Sequence, residues 1–180
     1  MTADLKLIVI GTSHYIQCGN AKDADIARLD QALVEALKEY GCRCIAEEMS
    51  EEAIPMWGGK STVGRLKAQA EGLPHLFCDP DTSERRDLGI RAGYEIEGDA
   101  SISTAPVDVP SEVKRNYEKR ERIWIDRLSK AGERSVLFIC GDDHVDSFAK
   151  RARELGIEVI VLNRVRVEDE LDFDSGGRKS

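Results

Sequence analysis

Two histidines in this sequence close hydrophobic segments of the same design. Leu7-Ile8-Val9-Ile10 runs into Gly11-Thr12-Ser13-His14, and Val136-Leu137-Phe138-Ile139-Cys140 runs into Gly141-Asp142-Asp143-His144. An imidazole exchanges protons near neutral pH and is a common metal ligand. A continuous apolar run of this length, ended by a turn residue, reads as a strand buried on both faces. Glycine then lets the backbone turn where a Cβ would interfere. In an open α/β sheet the loops beyond strand carboxyl ends are where ligands bind, so both rings are predicted on that edge. A single Gly-x-x-His is a weak signal, and a lone histidine after a strand is usually an ordinary loop or cap residue. Here two of the chain's three histidines occupy the same position.

Acidic residues stand at the other strand ends. The segment Cys42–Ala46 leads into Glu47-Glu48, His75–Cys78 into Asp79-Pro80-Asp81, and the second Gly-x-x-His itself contains Asp142-Asp143. Parallel strands would bring these groups to one edge. Two imidazoles with carboxylates suit a divalent transition ion, Mn²⁺ or Zn²⁺, held by His14, His144 and Glu47 or Glu48. The same set suits metal-free acid/base catalysis. Strand alternation places Cys42, Cys44, Ala46 and Glu48 on one face and Arg43, Ile45 and Glu47 on the other, so one glutamate is predicted to point away from the pocket. Asp79, Asp81 or Asp143 would supply a further ligand or a proton-transfer group. Taken singly, Asp81, Asp142 and Asp143 read more simply as helix caps.

The elements that must position these groups alternate. Strands are predicted over 5–10, 42–46, 75–78, 136–140 and 157–162, with helices over 21–40, 62–71, 111–131 and 145–155. Ile26, Leu29, Leu33, Ala36 and Leu37 mark the inward face of the first helix, which stops at Gly41. Val113, Tyr117, Ile123, Trp124 and Leu128 mark that of the long charged helix. Residues 93–110 show no clean period and are predicted to be an irregular lid over the substrate pocket. The tail 171–180 reads as disordered. The pattern predicts α/β architecture: a single domain over 1–170 with a mainly parallel β-sheet flanked by helices, its active edge at the strand carboxyl ends.

Two other motifs carry less. Gly58-Gly59-Lys60-Ser61-Thr62 ends like a phosphate-binding P-loop, but Ile54 stands where the first glycine belongs and no strand leads in. Lys60 and Arg65 are retained as anion contacts. Gly11–His14 lacks the second and third glycines of a dinucleotide fingerprint.

Composition sets the frame. The 180 residues are enough for one well-cored domain, 41% are hydrophobic and 33% charged, and the formal net charge is −8. That acidity argues against a general nucleic-acid binder. Five cysteines with no Cys-x-x-Cys pair point to a reducing compartment. With no leader-like start and no apolar run of spanning length, the expectation is a cytoplasmic protein without membrane attachment.

The paired Gly-x-x-His motifs, with an acid after the second strand, resemble the erythromycin-esterase/ChaN/TraB-like superfamily, which includes the TIKI proteases. On that resemblance the first motif is Gly11–His14, the acid Glu47 or Glu48, and the second motif Gly141–His144. The superfamily also carries an arginine before the second motif in an Arg-Asn-x-x-Met/Trp pattern. Arg120-Glu121-Arg122-Ile123-Trp124 matches at the arginine and tryptophan but has Glu121 for asparagine. The resemblance implies an α/β hydrolase-type site, metal-dependent in the TIKI proteases, whereas ChaN is associated with haem.

These readings lead to a metal-dependent hydrolase. His14, His144 and Glu47 or Glu48 would activate water, Arg120 and Arg85 would stabilise developing negative charge, and Asp79, Asp81 or Asp143 would assist. The substrate would be a small molecule or peptide, with homo-oligomerisation left open. The competing reading is a binding or sensing module without turnover, holding a phosphate-containing ligand near Lys60 and Arg65.

Overall fold

The computed structural model describes residues 5–103, 108–162 and 164–166. Five strands form one sheet: β1 (Lys6–Thr12), β2 (Cys44–Glu47), β3 (His75–Phe77), β4 (Ser135–Gly141) and β5 (Glu158–Val161). Their order is β3-β2-β4-β1-β5, and every neighbouring pair is parallel. The α/β class and the parallel sheet read from the sequence are present.

Burial on both faces explains the unbroken apolar strands. Leu7 and Val9 of β1, with Val136, Phe138 and Cys140 of β4, face one layer. That layer consists of α7 (Val109–Lys130) and α8 (Val145–Glu154), which contribute Trp124, Leu128, Phe148 and Ala152. Ile8, Ile10, Leu137 and Ile139 face the opposite layer, where α2 (Asp23–Tyr40) supplies Leu29, Leu33 and Ala36 and α4 (Val63–Glu71) supplies Ala68. Between β1 and α2 lies a single turn, α1 (His14–Gln17); α3 (Ala53–Met56) precedes α4.

This winding creates one switch point. The chain leaves β1 toward the α2 layer, but leaves its neighbour β4 toward the α8 layer. The two connections diverge, so a crevice opens beyond the carboxyl ends of β1 and β4, the place where open α/β sheets bind ligands. Thr12 pairs with Gly141 in the last rung of that ladder. Each histidine then lies two or three residues beyond it.

Residues 93–102 correct the expectation that the 93–110 segment is irregular. After α5 (Thr82–Asp87), residues 93–102 form helix α6 (Gly93–Ile102). Its first turn is closed by the Ala92 N–H donating to Glu95 Oε2 at 2.6 Å. The helix buries only Ile96, while Tyr94 and Ile102 stay exposed, so it leaves no apolar period to read. Residues 104–107 and the tail 171–180 lie outside the described residues. The long helix also starts earlier than expected, at Val109 behind an Asp108 cap, and buries Ile125 rather than Ile123. Among the described residues no helix is long and apolar enough to cross a membrane.

Candidate active site

Glu48 is the hub of the crevice. It follows β2 directly, its N–H donates to Ile139 O at 2.8 Å, and its side chain is 1% exposed. Oε2 accepts the Gly141 N–H at 2.7 Å, and Oε1 accepts from Arg120 Nη2, also at 2.7 Å. A buried carboxylate requires such partners. Both candidate imidazoles face this same Oε1, His14 Nε2 from 3.8 Å and His144 Nε2 from 3.5 Å.

Each ring is held from behind. His14 opens α1 after the Ser13 cap, and its Nδ1 lies 3.2 Å from Gln17 Oε1. Gln17 Nε2 donates in turn to Glu47 Oε2 at 2.7 Å, which orients the amide with its oxygen toward His14. His14 then carries its proton on Nδ1 and presents Nε2 as an acceptor. His144 Nδ1 lies 3.1 Å from Glu121 Oε1, which fixes the same tautomer. Its ring is boxed by Tyr117 and Trp124, with centroids at 4.1 and 4.8 Å.

Glu121 is the residue that reading the sequence missed. It is fully buried, and Ser147 Oγ and Arg151 Nε also donate to it, at 2.5 and 3.1 Å. Burial alone would raise its carboxyl pKa, but these donors and His144 outweigh it and hold the group below its ordinary value. The available signal was a glutamate on α7 one step past Arg120, visible only as a mismatch to the Arg-Asn pattern.

Arg120 is clamped between two carboxylates. Its Nε donates to Asp79 Oδ1 at 2.9 Å while Nη2 reaches Glu48. Burial opposes its charge, yet Glu48 and Asp79 raise its pKa above the ordinary value. Asp79 also accepts from Trp124 Nε1 at 2.9 Å and pairs with Arg85. Burial pushes the Asp79 carboxyl up, and the two guanidiniums more than reverse that.

Several predicted site residues therefore take other positions. Glu47 points into the α4 side of the sheet, where it accepts from Gln17, from Thr62 and, at 2.8 Å, from His75 Nε2. It reaches the site only through Gln17. Asp79 anchors Arg120 from behind and is itself paired with Arg85, and neither Asp79 nor Arg85 lines the crevice. Asp81 is the cap of α5, accepting the Glu84 N–H at 2.8 Å while Glu84 accepts the Asp81 N–H. Asp143 does line the crevice. Arg65 is engaged by Glu51 and lies over the Phe77 ring at 4.3 Å, and Lys60 stays exposed outside the crevice.

The crevice has a volume of about 450 Å³ and is lined by His14, His144, Glu48 and Arg120, with Tyr15, Trp57 and Tyr117 as aromatic walls. Thr12 also lines it; its hydroxyl is buried and has no hydrogen-bond partner among the described residues.

The donor types suit Mn²⁺ or Zn²⁺, and Gln17 and Glu121 hold the far nitrogens as partners behind metal-bound histidines do. The carboxylate does not complete the set. Glu47 faces away, and Glu48 Oε1 already carries the Arg120 cation. Among the described residues no three His, Cys, Asp or Glu side chains are grouped to hold a metal ion. As arranged, these residues do not fit a resident ion, and the chemistry below runs through side chains.

Fold and crevice define a parallel α/β protein with a paired-imidazole, glutamate and arginine centre at the switch point. No family model, curated protein or solved structure matches the chain.

Proposed function

We propose that this protein is a hydrolase that activates water with the His14–Glu48–His144 cluster. One observation carries the reading: two imidazoles, each with its Nδ1 engaged from behind, turn their Nε2 atoms toward a single carboxylate oxygen. His144, backed by Glu121, removes a proton from water as the water oxygen bonds to the scissile centre; the ion pair behind the ring stabilises the imidazolium that forms. His14, on the more open side, returns a proton to the leaving group after taking one from solvent. Glu48 lies near both Nε2 atoms and so stabilises whichever ring is charged. Arg120 lines the crevice with two of its five N–H directions committed, and its positive edge favours the oxygen that gains negative charge.

The convergence of both Gly-x-x-His motifs, Glu48 and Arg120 in one crevice supports the resemblance to the erythromycin-esterase/ChaN/TraB-like superfamily. The five cysteines, all free and buried, support a cytoplasmic setting. The substrate would be a small molecule or peptide.

The test is hydrolysis of an ester, peptide and phosphoester panel by the wild type and by His14→Ala and His144→Ala, with and without chelator, alongside metal analysis. Turnover that survives chelation and disappears in both variants is expected. Turnover tied to Mn²⁺ or Zn²⁺ that is lost with the histidines would replace the side-chain route with the metal-dependent one. Ligand binding with no turnover in any assay would favour a sensing module and end the enzyme reading.

A further inference from the structure

We propose that the Trp57 indole, flanked by Tyr15, is the surface on which the substrate of this site lays a planar ring, and that the ring-bearing group carries no negative charge. This deepens the hydrolase reading and rests on it for the word substrate, though the binding itself needs no turnover.

Two large aromatic side chains form one lip of the crevice. Tyr15 is 51% exposed and Trp57 is half-buried. The Trp57 ring lies 4.9 Å from that of His14 and 5.1 Å from that of Tyr15, the latter edge-on. One side of the indole packs against Cys18, Met49 and Ile54, while the residue also lines the crevice. A ring stacked there would withdraw apolar area on both partners from water, with His14 at its edge.

The loop that presents Trp57 is built for this position. Asn20 Nδ2 donates to Trp57 O at 3.0 Å. Gly58 has φ of +76°, and a Cβ on Gly59 would fall 2.4 Å from Cys18 O. The glycines that resemble the end of a P-loop thus let this loop sit directly on the segment that carries His14. Catalytic ring and aromatic wall hang from one support.

Charge selects further. In the crevice, Glu48 is paired with Arg120, and Asp142 with Arg164 at 3.2 Å and Arg166 at 2.7 Å. Asp143 lines the same space and has no ion-pair partner among the described residues. The lining itself holds three carboxylates, Glu48, Asp142 and Asp143, against two guanidiniums, Arg120 and Arg166, an excess that repels an anionic group and favours a cation. That disfavours the phosphate-containing ligand expected from the glycine loop.

The chain carries two tryptophans, Trp57 and the buried Trp124, so its nitrogen–proton NMR spectrum contains two indole N–H signals, assigned with Trp57→Phe. Benzyl alcohol, benzylamine and benzoate serve as probes. Benzyl alcohol and benzylamine are expected to move the Trp57 signal saturably and leave that of Trp124 in place. Benzoate should bind several-fold more weakly, and Asp143→Asn should narrow that gap. Trp57→Ala should weaken benzyl alcohol about tenfold, with Trp57→Phe recovering most of it. A Trp57 signal unmoved by every probe, an affinity unchanged in Trp57→Ala, or benzoate binding as well as benzyl alcohol would each overturn the proposal. A saturable Trp57 shift without hydrolysis of any panel substrate would sink the enzyme reading and leave the ring subsite standing. Hydrolysis with a silent Trp57 would do the reverse.

Discussion

Glu121 stands directly behind His144, its Oε1 3.1 Å from Nδ1, on the opposite side of the ring from the nitrogen that faces Glu48. A carboxylate in that place does two things. It fixes the proton on Nδ1, and it stabilises the ring when Nε2 gains a second one. Glu121→Gln keeps an acceptor oxygen and the side-chain volume but removes the charge. We expect kcat on the hydrolysed substrate to fall by about tenfold to a hundredfold with KM little changed. The His144 ring N–H resonance should remain hydrogen-bonded in the variant, separating lost charge from lost geometry. A kcat equal to that of the wild type would remove Glu121 from the proton path.

Gly141 has a φ of −57°, which any residue can adopt, so its lack of a side chain reflects space rather than backbone strain. A Cβ there would lie 3.2 Å from Glu48 Oε2 and 3.6 Å from His14 Cε1. Gly141→Ala is therefore expected to press on the hub carboxylate and its hydrogen bond to the Gly141 N–H. Activity should drop about tenfold, equivalent to about 1.4 kcal/mol of transition-state stabilisation, while the thermal midpoint moves little. A variant as active as the wild type would show that Glu48 need not hold this position.

The strands were legible because burial on both faces leaves only apolar side chains, and the shared edge followed from their parallel order. Alternation along β2 distinguishes the two glutamates, with Glu48 at the crevice and Glu47 beneath the sheet. What stayed hidden has a common physical cause. Asp79, Asp81 and Arg85 have the types of catalytic residues, but their roles depend on partners far along the chain or on a local cap, and residue type does not report a partner. Glu121 was hidden by the opposite effect, since a buried acid on a charged helix looks like any solvated one. Helix α6 escaped because a helix with one buried side chain leaves no period.

Asp79 should matter for stability more than for chemistry. Its carboxylate holds Arg120 and Arg85 and accepts the Trp124 N–H. Asp79→Asn leaves Arg85 beside a neutral amide and Arg120 with Glu48 alone, and we expect it to cost about 3 kcal/mol in denaturant unfolding near neutral pH. The folded-state pKa of Asp79 lies below its ordinary value of 3.8, so its contribution is fully present above that value and is lost as pH falls through the folded one. The gap between wild type and variant should therefore shrink in strong acid. A gap that is constant with pH would mean that the ion pairs contribute nothing.

The same substitution should act with opposite sign at two helical glycines. Alanine is intrinsically the better helix former by about 1 kcal/mol. At Gly98 in α6 an added Cβ meets nothing within 4 Å, so Gly98→Ala is expected to stabilise by about 0.5–1 kcal/mol. At Gly64 in α4 it would lie 2.7 Å from Glu47 Cδ and 2.7 Å from Ile139 Cδ1, neither of which has room to retreat. Both neighbours are fully buried, and Glu47 is tied to Gln17, Thr62 and His75. Gly64→Ala should therefore destabilise by about 1–3 kcal/mol despite its helix propensity. It should also disturb His14, because Glu47 orients the Gln17 amide that fixes the ring's tautomer. Denaturant unfolding of the two variants side by side, with the His14 ring resonances followed by NMR, checks both halves. A Gly64→Ala protein as stable as the wild type, with His14 unchanged, would show that the Glu47 pocket is looser than its packing indicates.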